Sequence, residues 1–464
     1  MDIYPDSLPA QMAVILFILL FAYLSRQNPR RAALLFPIIL PLYLIKIQLK
    51  FPVPSSQFPA INTIPTNLLE ILMIIFLIVN FKLVWQGIHQ LAFQVSRYFI
   101  FAAGCLLLAV ILSTVYAINL PTALGAAKSW FVLPMLLFFA LLPTLQSPRY
   151  RQKFLYFLAL SGAVITLMTL PFIWQNLYGY DGRLTGIFLS PNHLAMALVP
   201  GILALVIPLS SSGSSILSFP RRRESRIVLR LLLFLELVIL YLTYSYGAWI
   251  GLFVAILFLP HQKSTSPLSP PYQGGGLRGG IAEGKKLIAY GLGLTAILVT
   301  VFLSQLSNPK LQHIIKGDYY SSLHSRLMIW QSALVISKDY WLTGIGAGNF
   351  QQAYLDYQKY FPEPYIEWAV PQPHNILLAF LTKLGITGLI GFILILITTL
   401  KKLMAYGLWL MADPLTLWAF AYLIYTIIHG LIDTPYFKND LAIVFWLALA
   451  AIWASQPKQK SRQS

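Results

Sequence analysis

Long apolar stretches separated by short polar or basic segments make up most of the chain. The first reads LPAQMAVILFILLFAYLS and the last reads LAIVFWLALAAIWAS. Such runs approach the roughly 20 residues that an α-helix needs to cross about 30 Å of hydrocarbon. The alternating segments of roughly ten residues that indicate a membrane β-barrel do not occur in the sequence. The pattern therefore predicts an all-α, polytopic membrane protein of about 13 (12–14) transmembrane helices.

The apolar runs divide the chain into three regions. Residues 1–303 are predicted to form an N-terminal bundle of about ten spans. Residues 304–374 form a long loop that combines Arg, Trp, Gly, Asp and His side chains. Connections of this length are uncommon unless they are functional, so we expect a partly helical catalytic loop. Residues 375–464 are expected to hold the last transmembrane helices and a tail.

The basic charge of the chain follows the predicted topology. Of the 464 residues, 58% are hydrophobic and 10% are charged, and the formal net charge is +18. When the loop after the first span is placed in the cytoplasm, most Lys and Arg fall on that side, as the positive-inside rule requires. We therefore expect a multi-pass protein of the cytoplasmic membrane, in contact with membrane lipids and without a nucleic-acid partner. The N-terminus and loop 304–374 are then external and the C-terminus is cytoplasmic.

Two classes of site are not supported by the sequence. The single cysteine, Cys105, lies in an apolar run, so neither a disulfide framework nor a Cys-based metal site is expected. The segment GGIAEGKK has the spacing of a nucleotide-binding loop, but Lys286 stands where Ser or Thr must hold magnesium. We expect no metal and no cofactor.

The long loop contains the first group of candidate residues. Apolar positions recur at helical spacing over 323–337, which predicts an amphipathic helix at the membrane surface. Arg326 lies in its first turn, where a positive charge is disfavoured, so a functional reason is worth seeking. Gly344, Gly346 and Gly348 follow and predict a turn whose backbone can approach a ligand closely.

His374 and Asn375 stand at the boundary between the loop and the next span. The positive end of the helix dipole there favours a neutral imidazole, which is the form that a general base requires. A purely structural histidine is the alternative interpretation.

Three further charged residues lie outside the loop. Arg183, flanked by glycines and close to a helix start, suits an anion, although a solvated arginine is the simpler interpretation. Lys128 either reaches the outer membrane interface or contacts a phosphate. Asp433, in the last external turn, either orients a basic group or caps the turn.

Taken in order, these motifs resemble the O-antigen ligase and polymerase superfamily. The resemblance is carried by R-x3-W from Arg326 to Trp330, the GIGAGNF run that contains Gly346, and the His374-Asn375 pair that precedes a span. It implies a metal-independent, inverting transfer of a glycan from a polyprenyl-diphosphate carrier to a hydroxyl of a glycan, lipid or protein. Ligation of a surface polysaccharide is the first expectation, and polymerisation or protein O-glycosylation are alternatives. A transporter of lipid-linked sugars belongs to a different class, for which inverted repeats are typical.

The resemblance also implies roles for individual residues. His374 would take the proton of the attacking hydroxyl, and Arg326 would hold the diphosphate. The remaining candidates for contact with the diphosphate or the glycan are Arg183, Lys128, Trp330, Gly346, Asn375 and Asp433.

Two positions depart from the family pattern. Many members carry Arg where this chain has Tyr246, so one expected phosphate contact is missing and Lys128 or Arg183 would have to compensate. Many members carry Glu where this chain has Lys383, which leaves open whether a carboxylate orients His374.

Overall fold

The computed structural model describes residues 3–50, 63–94, 97–179, 181–210, 223–259, 292–293, 295–360, 367, 370–407 and 413–455. The GGIAEGKK segment lies outside these residues. The α-helices are α1 (Leu8–Gln27), α2 (Pro29–Ile39), α3 (Leu68–Val79), α4 (Phe81–Gln94), α5 (Arg97–Val115), α6 (Leu120–Ala127), α7 (Leu133–Leu145), α8 (Pro148–Trp174), α9 (Pro191–Ser210), α10 (Arg223–Leu242), α11 (Tyr246–Leu257), α12 (Thr295–Ser304), α13 (Pro309–Ile315), α14 (Ser322–Asp339), α15 (Phe350–Tyr357), α16 (Ile376–Tyr406), α17 (Pro414–Gly430) and α18 (Asn439–Trp453). A π-helical turn (Lys128–Val132) joins α6 to α7, 3-10 turns span Leu40–Leu44 and Gln358–Tyr360, and strand β1 (Lys46–Lys50) pairs antiparallel with β2 (Thr63–Asn67).

The predicted helical class is confirmed, whereas the predicted number of spans is not. Within the described residues, 6 helices are long and apolar enough to cross a membrane, or 7 if α3 and α4 count as one bent span. The apolar helices α11, α12, α17 and α18 are shorter. The expectation of about 13 spans includes these shorter helices and the bent pair, whose length alone does not confirm complete crossings.

The predicted span 32–47 ends early. Helix α2 stops at Ile39, and the chain continues as a 3-10 turn and then as β1. Pro41 explains the stop, because its ring would collide with the carbonyl of Pro37 and it has no N–H to continue the α-helical ladder. The strands that follow are the one feature of the described chain that the all-α prediction omitted.

The predicted span 67–86 is bent at Asn80. The Asn80 side chain donates from Nδ2 to the carbonyl of Phe76 at 3.0 Å and closes the end of α3. Helix α4 then departs at 77°. The backbone N–H of Asn80 donates to the same carbonyl at 3.0 Å, so Asn80 caps α3 with both its backbone and its side chain where the chain turns.

Helix α18 forms the centre of the bundle. Every residue from Asp440 to Trp453 is buried, and α7, α9, α16 and α17 pack around it. The indole N–H groups of Trp446 and Trp453 donate to the Tyr436 hydroxyl and to Thr399 Oγ1, each at 3.1 Å. A helix that is apolar on all sides and whose polar atoms are paired belongs in a core.

The predicted loop helix is confirmed as α14, with a different buried face. Ser321 caps its start, and Ile329, Ala333 and Ile336 pack inward. Leu327 is among the apolar positions that predicted the helix, yet 44% of its surface is exposed. Contact of that outer face with lipid remains a prediction.

The glycine run after α14 packs against a kink in α16. Gly385 has φ +68 inside α16, and Gly344 has φ +71. A β-carbon at position 344 would lie 2.4 Å from the backbone of Lys383, and one at position 385 would lie 2.2 Å from the carbonyl oxygen of Leu342. Only glycine permits both this contact and these backbone angles, so the two segments fix the loop on the helix that follows His374.

Candidate active site

The centre of the site is a hydrogen bond between His374 and Asp433. His374 Nδ1 lies 3.1 Å from Asp433 Oδ1. Burial disfavours ionisation of Asp433, but the charge and hydrogen bond of His374, with His429 and Arg326, hold the pKa of this carboxyl well below its ordinary value. An ionised carboxylate can only accept a hydrogen bond, so Nδ1 of His374 is the donor. In the neutral form of the imidazole Nε2 then keeps its lone pair, and in that form the side chain can act as a general base.

The backbone of His374 is held in a strained conformation. Its φ is +48, a region that side-chain-bearing residues adopt only when their surroundings enforce it. Trp330 Nε1 donates to the His374 carbonyl at 3.2 Å. Asn375 caps α16 and donates from Nδ2 to the Leu431 carbonyl at 2.9 Å. Trp330 and Asn375 therefore position the histidine in this structure.

Arg183 connects to the same carboxylate through an asparagine. An Arg183 Nη donates to Asn192 Oδ1 at 2.6 Å, and Asn192 Nδ2 donates to Asp433 Oδ2 at 2.7 Å. Arg183 Nε also donates to the Thr243 carbonyl at 2.7 Å, and Asp181 lies 3.6 Å from the guanidinium. The segment 181–190, the start of α9 and the turn between α17 and α18 thus meet at one point. Sequence reasoning missed Asn192 because its role depends on the fold of the last turn.

Arg326 adds a second guanidinium that is only partly engaged. Its Nε donates to the Ile432 carbonyl at 2.8 Å and one Nη donates to the Ser322 carbonyl at 2.9 Å. Of the five N–H donors of a guanidinium, the others have no partner in the described part of the chain. Burial lowers the pKa of Arg183, and the charge of Arg326 acts in the same direction, against the attraction of Asp181 and Asp433. The two arginines therefore repel each other, and an anion would relieve that repulsion.

Lys310 brings a third cation that the sequence analysis did not predict. Its Nζ donates to the Tyr244 carbonyl at 2.8 Å and lies 5.0 Å from the centre of the Tyr246 ring. Burial lowers the pKa of Lys310 well below its ordinary value, and Arg183 and Arg326 act in the same direction. Tyr246, one of the two departures from the family pattern, therefore has the Lys310 ammonium over its ring. No sequence motif marks Lys310, because it lies in a short helix far along the chain from the turn between α10 and α11 that it contacts.

Lys128 lies in a different polar group. Its Nζ is 2.6 Å from Glu70 Oε2. The same carboxylate accepts from Ser129 Oγ at 2.5 Å, Asn67 Nδ2 at 2.7 Å and Thr66 Oγ1 at 2.9 Å. Glu70 is buried, and its charge is matched by the ammonium. These contacts account for Lys128 as an ion-pair partner, and contact with a phosphate remains a prediction.

Gly346 and Lys383 are packed away from the imidazole. Gly346 has φ +87, and a β-carbon there would lie 2.5 Å from the Ala117 side chain. The Lys383 ammonium donates to the side-chain oxygen of Gln372 and lies 4.6 Å from the centre of the Phe437 ring. These contacts give Gly346 a packing role and leave Asp433, from the last turn, as the carboxylate that contacts His374.

Together these residues place an imidazole, whose Nε2 has no hydrogen-bond partner among the described residues, near two guanidinium groups and an ammonium. Such an arrangement can take a proton from a hydroxyl and stabilise an anionic leaving group. Among the described residues, no group of three or more His, Cys, Asp or Glu side chains could hold a metal ion.

The comparison with protein families agrees with this chemistry. Residues 231–393 match the family model described as O-antigen ligase. The match includes Lys310, Arg326, Trp330 and His374, whereas Arg183 and Asp433 fall outside it. No curated protein matches the chain. The predicted resemblance is confirmed over the matched residues, and with the apolar helices it supports a multi-pass membrane protein with a glycan-transfer role in surface polysaccharide biosynthesis.

Proposed function

We propose that this protein transfers a glycan from a polyprenyl-diphosphate carrier to a hydroxyl acceptor at the outer face of the cytoplasmic membrane, as a surface polysaccharide ligase. The observation that carries the proposal is the His374–Asp433 hydrogen bond beside Arg183 and Arg326. A base paired with a carboxylate accounts for activation of a hydroxyl. The adjacent cations account for a diphosphate leaving group.

In the proposed reaction, His374 Nε2 removes the proton from the acceptor hydroxyl as the oxygen attacks the anomeric carbon of the glycan. The bond from that carbon to the carrier phosphate oxygen breaks, and its electron pair stays on the diphosphate. Attack opposite the leaving group inverts the anomeric configuration in one displacement. Asp433 stabilises the imidazolium that forms and keeps Nδ1 as the donor.

The two arginines have distinct positions in this scheme. Arg326 retains N–H donors without partners in the described chain, and a guanidinium fork fits phosphate oxygens in pairs. Arg183 is fixed by Asn192 and Thr243, so its charge is held in place before the glycan donor arrives. Charge on the leaving oxygen grows as the sugar–phosphate bond breaks, so these contacts strengthen in the transition state. The positive charge that a metal supplies in other phosphate chemistry is here provided by side chains.

The proposal is tested by measuring glycan transfer from a lipid-linked donor to a hydroxyl acceptor, with the purified protein in nanodiscs. His374→Ala should lower the transfer rate by roughly 10²–10⁴-fold, because the acceptor proton has no base to receive it. His324→Ala is the matched control, since His324 is an exposed histidine of the same loop. A well-folded His374→Ala protein that transfers glycan at the wild-type rate would refute the assignment.

A further inference from the structure

We propose that Lys310 is a third phosphate-binding residue, which acts with Arg183 and Arg326 to hold the diphosphate group of the glycan donor. This inference rests on the proposed function and adds to it a residue from outside the predicted motifs. It also assigns a ligand role to the short helix α13, for which the mechanism above has no use.

The position of the ammonium is determined by two elements. Asn308 caps α13 and accepts from the Lys310 amide at 2.9 Å, which fixes where the side chain leaves the helix. The ammonium reaches the turn between α10 and α11, where the Tyr244 carbonyl takes one of its three donors. The Tyr246 ring covers another side. In the part of the chain that the structure describes, the remaining donors have no acceptor.

The charge around Lys310 is unbalanced. Within the described residues no carboxylate lies close enough to form an ion pair with it, whereas Arg183 and Arg326 are both close enough to disfavour its charged form. Asp181 and Asp433 act in the opposite direction with smaller effects. Three cations face two carboxylates, one of which is already engaged by His374 and Asn192. A partly buried ammonium in such surroundings is stabilised by an anion, and a diphosphate brings the negative charge that is missing.

The alternative is that Lys310 only fastens α13 to the α10–α11 turn through the Tyr244 carbonyl. The two roles make different predictions for the variant Lys310→Arg and for the effect of pH on anion binding. A guanidinium at position 310 would keep its charge at any pH used, whereas the ammonium loses its proton as pH rises through its lowered pKa. Binding of an anion through the ammonium must therefore weaken as pH rises.

The experiment measures binding of polyprenyl diphosphate, as the probe, to the full-length protein in nanodiscs across pH 6 to 10. Lys310→Met should raise Kd by roughly 10- to 100-fold at neutral pH, because a charged hydrogen bond to phosphate is lost. Lys310→Arg should restore the affinity and remove the weakening at high pH. Lys316→Met is the matched control, since Lys316 is an exposed lysine at the end of the same helix.

The other groups that face Lys310 are the same in the wild-type protein and in its variants. They are Asp181, Arg183, Tyr244, Tyr246, Arg326 and Asp433. Their titration, and that of the diphosphate itself, changes the wild-type protein and Lys310→Arg alike, so the difference between the two pH profiles reports position 310.

Each outcome decides the matter. Unchanged binding by Lys310→Met, or a loss that Lys310→Arg does not restore, would overturn the phosphate-binding role and leave the fastening role. Wild-type protein that fails to bind polyprenyl diphosphate would instead refute the proposed function, and this inference with it.

Discussion

Two of the polar groups in the described part of this apolar protein differ in how their charges are balanced. The Glu70 cluster contains one buried carboxylate surrounded by donors, from Thr66, Asn67, Lys128 and Ser129. The basic cluster contains more cations than acids and donors without partners in the described chain; its residues are Arg183, Lys310, Arg326, His374 and Asp433.

The difference separates a structural polar group from a ligand site. Removing charges from water is costly, and the cost is offset inside the protein when every charge has its partner. The Glu70 cluster meets that condition without any ligand. The basic cluster does not, because burial and the nearby charges of Arg183 and Arg326 all disfavour the charged form of Lys310. This surplus of positive charge is the reason that we propose the basic cluster, and not the Glu70 cluster, as the site of an anionic substrate.

The largest effect on the basic cluster should come from Asp433→Asn. An amide at position 433 can donate to His374 Nδ1 and so favours the tautomer whose Nε2 carries a proton and cannot act as a base. We expect kcat to fall by roughly 10³-fold, with a smaller change in KM. Steady-state kinetics of glycan transfer in nanodiscs measure both constants.

Asp318→Asn is the control for that variant. Asp318 lies 2.6 Å from His313 Nδ1, but this pair is exposed and distant in sequence from the predicted base. The same chemical change there should leave kcat as it is. A similar loss in both variants would show that amide substitution acts through general destabilisation and would break the contrast.

An intermediate effect is expected for Arg326→Lys. The ammonium keeps the charge but cannot reproduce the paired N–H donors of a guanidinium or the contacts to the Ile432 and Ser322 carbonyls. We expect kcat/KM for the lipid-linked glycan to fall by roughly 10- to 100-fold. Lys338→Met, an exposed position on the same helix, is the control. Wild-type kcat/KM in Arg326→Lys would mean that the basic cluster contributes charge alone.

Sequence patterns predicted some residues of the candidate site but not the residues that connect them. His374 and Arg326 stand out because an isolated histidine at a helix start and a cation in a first turn are unusual locally. Asn192 and Lys310 carry no such local signal. Their roles arise from contacts with Asp433 and Tyr244, which are distant along the chain and adjacent only in the fold.

The same limit explains the errors in the fold. Hydropathy detects an apolar run but not whether the run forms one straight helix. Pro41 and Asn80 end helices inside runs that read as single spans, and hydropathy does not detect such ends.

Lys383 stands where the family resemblance suggested a carboxylate. Only the folded turn between α17 and α18 shows that Asp433 contacts His374 instead.

The smallest effect on transfer should come from the Glu70 cluster, where the expected change is in stability. Lys128→Met leaves the Glu70 carboxylate buried without its ion-pair partner. Because the Lys128 side chain is 26% exposed, we expect a loss of only about 1–3 kcal/mol in the free energy of unfolding, measured by denaturation in detergent. The double variant Glu70→Gln with Lys128→Met should recover part of that loss, since no unpaired charge then remains and the amide can still bond to Ser129 and Asn67. Recovery in the double variant identifies a closed ion pair. A higher KM for the lipid-linked glycan in Lys128→Met, with stability unchanged, would instead show that Lys128 contacts the phosphates and that both clusters serve the same ligand.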